Sequence, residues 1–153
     1  MWSAATVLVC ALGILGRSPE TLPPITLIDV PPADASPGVE AFVRPGDDTI
    51  HVVTSSSVFR YAMAARSHCG RTESLRKIAS VIVHEEWHVR NGPDEQGAYR
   101  AQLLALAVMG SGQGTPVFAE VRRAMRAVTV ADPGGARATW RPVSNAARAS
   151  AIR

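Results

Sequence analysis

The sequence is short of lysine, aromatics and cysteine, and it has no long apolar run. Lys77 stands alone against fifteen arginines, a skew read here as coding bias, not as function. Aromatic residues make up 5% of the 153 positions, so the core has to be built from aliphatic side chains and alanine. Two cysteines, Cys10 and Cys69, exclude a disulfide framework of the kind that holds small secreted domains together. Because Cys10 falls in an apolar, leader-like stretch, Cys69 is expected unpaired, as a small buried thiol. Internal repeats are absent. A charged fraction of 19% beside 46% hydrophobic residues excludes a disordered chain, and the length fits one ordinary domain.

A strongly basic surface is missing too. The net charge of +3 is uneven: residues 1–114 carry nine Lys/Arg and eleven Asp/Glu, while residues 115–153 carry seven Arg against Glu120 and Asp132. The basic balance therefore belongs to the C-terminal third, and no nucleic-acid partner is expected. Arg122, Arg123 and Arg126 read as the solvated side of a helix, with attraction to an anionic membrane or acidic partner as the other reading.

What is present begins with an uncharged run, Ala4 to Gly16. It is too short to span a bilayer and fits the apolar core of a secretory signal, although no basic residue precedes it and no clean cleavage site follows. Residues 1–16 are thus expected to be a signal peptide or membrane-targeting segment. The alternative is a buried N-terminal segment. The protein is expected to be exported (periplasmic or secreted) or membrane-associated through this segment. Residues 17–38 form a Pro-rich extended segment with one strand, Ile25 to Val30, since prolines at this density forbid helix. Residues 39–53 look like a hairpin turning at Pro45-Gly46-Asp47-Asp48. A short helix is expected over Val58–Ala65.

Three longer helices follow. Thr72 is a natural N-cap, and Leu75, Ile78, Ala79, Ile82 and Val83 recur at helical spacing up to a stop at Asn91-Gly92-Pro93. Asp94 can cap a second helix over Glu95–Met109. Thr115-Pro116 opens a third, with Val117, Phe118, Val121, Met125 and Val128 as its apolar stripe. Residues 133–153 read as a flexible basic tail.

The chemistry is concentrated in His84-Glu85-Glu86-Trp87-His88, an H-E-x-x-H inside the strongest expected helix. A shuffled chain of this composition shows that pattern about 0.004 times, which makes accident a poor explanation. On a helix, residues i and i+4 lie about 40° apart in azimuth and about 6 Å along the axis, so two imidazoles there converge on one metal ion. Glu85, one position on, points beside the metal, where a carboxylate reaches an activated water. Trp87 points away and reads as core; Glu86 reads as a solvated or supporting group. His51 reads as a surface residue, and His68 beside Cys69 is a minor metal candidate. A third protein ligand is needed for a catalytic zinc. Glu95 and Asp94 are the first acidic residues downstream, and Glu95 also reads simply as a first-turn carboxylate favoured by the helix dipole.

These residues resemble the zincin metallopeptidases, in particular the gluzincin type, which carry H-E-x-x-H on one helix and a glutamate ligand on the next. Glu95-Gln96-Gly97-Ala98 is similar to the E-x-x-A that often marks that second helix, and the resemblance covers about residues 72–109. The separation of six residues between His88 and Glu95 is shorter than usual, so Asn91-Gly92-Pro93 has to turn the chain back sharply. The resemblance implies an α+β fold: a small zincin-like domain over residues 39–132, with a short antiparallel sheet followed by the active-site helix and two further helices. It implies zinc (Zn2+) held by His84, His88 and Glu95, with Glu85 as general base for peptide-bond hydrolysis of a peptide or protein substrate. The 49–53 run is then the expected edge strand for substrate. Tyr99, one turn after Glu95, is a candidate oxyanion stabiliser or a residue packed between helices. The competing readings are a non-catalytic zinc-binding accessory or interaction module, and a basic protein binding an anionic partner with the histidines incidental.

Overall fold

The computed structural model describes residues 2–65, 69–70 and 72–131. His68 and the tail over 133–153 lie outside the described residues.

Among the described residues the fold is α+β, with five α-helices and a small sheet of three strands. Helix α1 spans Ala4–Leu15 and strand β1 spans Ile25–Ile28. Strands β2 (Ala41–Val43) and β3 (Ile50–Val53) form the expected antiparallel hairpin. The sheet as a whole is mixed, not antiparallel, with order β1-β3-β2 and β1 parallel to β3 in the register Ile25↔Ile50 to Ile28↔Val53. The Pro-rich segment between β1 and β2 carries the chain past the strand that later inserts between them. As a consequence β3 is the central strand. Its backbone groups are used on both sides, so it cannot be the edge that the sequence suggested.

Helix α2 spans Ser57–Ala64 and α3 spans Glu73–Asn91. The Thr72 hydroxyl accepts from the Leu75 N–H, which satisfies one of the orphan donors of the first turn of α3. Helices α4 (Glu95–Val108) and α5 (Pro116–Ala131) follow. Asp94 stands at the N-cap of α4 but makes no side-chain capping bond. At α5 the Thr115 hydroxyl accepts from the Phe118 N–H.

Helix α3 is the hub: it touches α1, α2, α4 and the strands β2 and β3. Leu75, Ile78, Ala79 and Ile82 are buried on it, facing Val7 and Leu12 of α1, Ile50 and Val52 of β3, and Phe59 of α2. The stripe read for α5 divides, with Val117, Phe118 and Val121 buried and Met125 and Val128 half-buried. The apolar run at the start of the chain is here part of the core. Val7, Cys10, Ala11 and Leu12 are buried at helical spacing, and Ser3 caps α1 through the Thr6 N–H. Among the described residues no helix is long and apolar enough to cross a membrane.

The expectation of an unpaired, buried Cys69 is overturned. Cys69 is exposed and bonded to Cys10, with their Cα atoms 4.9 Å apart. Packing α1 against α3 brings Cys10 to the loop after α2, a proximity that no single-segment pattern carries. Of the two readings of Glu86, the solvated one is overturned. The residue is buried, and accepts hydrogen bonds from Arg17 Nη2 at 2.8 Å and Arg90 Nε at 2.8 Å. The end of α1 is thereby tied to α3 beside the H-E-x-x-H motif.

Candidate metal centre

Helix periodicity places His84 and His88 on one face of α3, and the turn at Gly92-Pro93 brings α4 back alongside. Glu95 then arrives opposite both rings. His84 Nε2 and His88 Nε2 lie 3.2 Å apart. Glu95 Oε2 is 3.4 Å from His84 Nε2, and Glu95 Oε1 is 3.5 Å from His88 Nε2. Among the described residues these three form the group of His, Cys, Asp and Glu side chains able to hold a metal ion. Four-coordinate zinc bound at about 2.0–2.1 Å sets donor-to-donor edges of about 3.3 Å. The three separations match those edges, and two imidazoles with one carboxylate are a donor set suited to zinc. Asp94, the alternative acid, is not part of the group.

Both rings are oriented from behind. His84 Nδ1 is 3.1 Å from Gln102 Oε1, and Gln102 Nε2 donates in turn to Ser80 Oγ at 3.2 Å. Ser80 Oγ donates to the Lys77 carbonyl at 2.8 Å. His88 Nδ1 is 2.9 Å from the Gly92 carbonyl. An acceptor at each Nδ1 fixes the proton there and leaves each Nε2 lone pair free for a cation. Sequence reasoning missed Gln102 and the Gly92 carbonyl as partners. The signal was available for Gln102, which stands seven residues after Glu95 and therefore on the same face of α4.

The charges follow the geometry. Burial works against the Glu95 carboxylate, but hydrogen bonds and charge from His84 and His88 hold its pKa down at about 2. Burial also opposes protonation of His88, yet Glu95 and the Gly92 carbonyl raise its pKa. Glu85 is buried, and desolvation pushes its pKa up against the attraction of His84 and His88. The Val43 backbone of β2 lies near the Glu85 carboxylate and weakly opposes that rise. Tyr99 meets the His84 ring edge to face, with centroids 4.6 Å apart. Its phenol is pushed to higher pKa by burial and by the nearby carboxylates. Tyr99, His84 and Glu85 share one end of a cavity.

The other expected residues lie elsewhere. His51 takes Asp47 Oδ2 at 3.0 Å and stacks on Phe42. Trp87 is half-buried, and a Cβ on Gly97 would meet both Asp94 Oδ2 and Trp87, 2.5 Å from its Cζ2 atom. Gly97 is therefore required for α4 to approach α3 closely enough to deliver Glu95. No protein-family model, no curated protein and no solved structure matches the chain.

Proposed function

We propose that the protein is a zinc-dependent peptidase of gluzincin-like type, with a small zincin-like domain carrying the site. The observation that carries the reading is the convergence of His84 Nε2, His88 Nε2 and one Glu95 carboxylate at separations of 3.2, 3.4 and 3.5 Å. These three residues would hold the ion. Bound zinc supplies Lewis acidity, bringing the pKa of a coordinated water to about 7 and polarising a carbonyl.

The chain's own residues supply the rest. Glu85 takes a proton from the attacking water and later delivers it to the departing amine. The Tyr99 hydroxyl is available to stabilise charge on the carbonyl oxygen. The place for substrate moves from β3 to the free edge of β2. Val53 N–H bonds to the Glu40 carbonyl at 2.9 Å, so alternation directs the backbone groups of Ala41 away from β3. An extended peptide can pair there, beside Glu85, by strand addition. The Cys10–Cys69 bond supports an exported or membrane-associated protein that keeps α1, since disulfides persist in oxidising compartments.

The test is zinc content and cleavage measured together. The parent and Glu85→Gln chains should each hold one zinc, and only the parent should cleave a broad peptide library. Glu95→Ala should lose most of its zinc affinity. Zinc without cleavage in the parent would establish a non-catalytic zinc module, and no zinc at all would defeat both. N-terminal sequencing of the mature protein tests the location, with an N-terminus beyond Cys10 counting against a retained α1.

A further inference from the structure

The cavity that begins at His84, Glu85 and Tyr99 has a second, charged end. Lys77 lines it, the single lysine of the chain, on α3 seven residues before His84. Seven residues return to the same helix face about 10.5 Å along the axis. Lys77 is buried, and its ammonium donates to Glu120 Oε1 at 2.7 Å and lies 3.4 Å from Glu40 Oε2. Two carboxylates around one ammonium leave this end with a net negative charge. Burial raises the Glu40 pKa, with Lys77 opposing and Glu120 reinforcing the rise. The rest of the lining is Ala41, Val81 on α3, and Val121 and Ala124 on α5, with the amide of Gln102 as its one further polar group. The cavity volume is about 140 Å³. That is well below the roughly 300–1,000 Å³ of pockets for whole small molecules, and on the scale of one side chain.

We propose that this cavity is the specificity pocket of the site and takes a basic side chain, arginine or lysine, from a substrate residue next to the scissile bond. The proposal rests on the peptidase reading for its placement beside the reacting carbonyl. An apolar guest would leave Glu40 and Lys77 further desolvated without gaining an interaction. An acidic guest would meet an ammonium already engaged by two carboxylates. A basic guest lays its methylene stem along Val81, Val121 and Ala124 and brings its charge to the acidic end. Arginine gains most, because its planar fork pairs with a carboxylate through two hydrogen bonds. The reach from His84 to Lys77 suits a long unbranched side chain and leaves a short one stranded.

Binding tests this without requiring turnover. The full chain carrying Glu85→Gln is titrated calorimetrically with acetylated tetrapeptides that differ at one position: arginine, its neutral isostere citrulline, norleucine or glutamate. The arginine peptide should bind at least tenfold tighter than the citrulline peptide. Adding Glu120→Gln should reduce that ratio below threefold. Glu120 has a side chain 59% exposed, so the substitution should leave the thermal midpoint in place; Glu40→Gln gives the same reading if it does not. Equal affinity for the arginine and citrulline peptides, no measurable binding of the arginine peptide, or a ratio untouched by both variants overturns the pocket. If the parent cleaves none of these peptides while the ratio holds, the peptidase reading fails and the basic pocket stands. If it cleaves them without preference, the pocket alone fails.

Discussion

Gln102 illustrates how much of the candidate centre is decided behind the histidines. It is buried on α4 and holds His84 Nδ1 at 3.1 Å while its amide donates to Ser80. Replacing it with leucine keeps the volume but removes the acceptor, so the ring can rotate and the proton can move to Nε2. Zinc affinity measured by chelator competition should fall about 10–100-fold in Gln102→Leu, the usual effect of losing such a partner. Unchanged affinity would show that the ring is held by Tyr99 and the helix alone. At this scale the site was largely legible. The H-E-x-x-H spacing and the E-x-x-A resemblance named the three residues that the fold brings together. Two readings were not legible: the burial of Glu86 against Arg17, and the pairing of Cys10 with Cys69. Both depend on which element lies beside α3, and a residue's own neighbours in sequence do not encode that.

Among the elements, the contact of α3 with α4 decides whether Glu95 reaches the histidines. A glycine in the first turns of a helix normally costs about 1 kcal/mol relative to alanine, so Gly97→Ala would stabilise an isolated α4. Here the new Cβ would meet both Asp94 Oδ2 and Trp87, with 2.5 Å to Cζ2, and α4 would have to move away. Overpacking of this kind costs about 1–3 kcal/mol and outweighs the propensity gain. Gly97→Ala should therefore lower the thermal midpoint. Trp87→Phe, which removes the ring atoms among those contacts, should recover part of that loss when combined with it. A midpoint equal to or above the parent's would sink the close-approach argument. Helix boundaries were legible because caps and stops are local: Thr72, Gly92 and Thr115-Pro116 act within a few residues. The strand hairpin was legible for the same reason, through its turn at Pro45-Gly46. The place of β3 at the centre of the sheet was not, because its β-branched run says only that it is buried, while the parallel partner β1 lies more than twenty residues earlier.

For the whole molecule the open question in the sequence was what the first helix is for, since an apolar run of this length suits a targeting signal and a core helix equally. The structure ties α1 down twice, by the Arg17–Glu86 pair at 2.8 Å and by the Cys10–Cys69 bond. The bond spans a sequence separation of 59 residues, and its loop encloses the sheet and α2. Closing a loop of that length restricts the unfolded chain enough to stabilise the fold by about 4 kcal/mol on chain-entropy grounds, and about 2–4 kcal/mol is typical in practice. Denaturant unfolding with and without reductant should show a loss of that size, and Cys69→Ser should reproduce it without reductant. The variant is a clean test because Cys69 is exposed, so the substitution opens no cavity. The decisive control is the thiol count of the unfolded, unreduced parent: none is expected, and two free thiols would remove the link between α1 and the loop. If the count is zero but reduction leaves stability unchanged, α1 is held by its buried face on α3 and by Glu86, and the disulfide records the compartment more than it secures the fold.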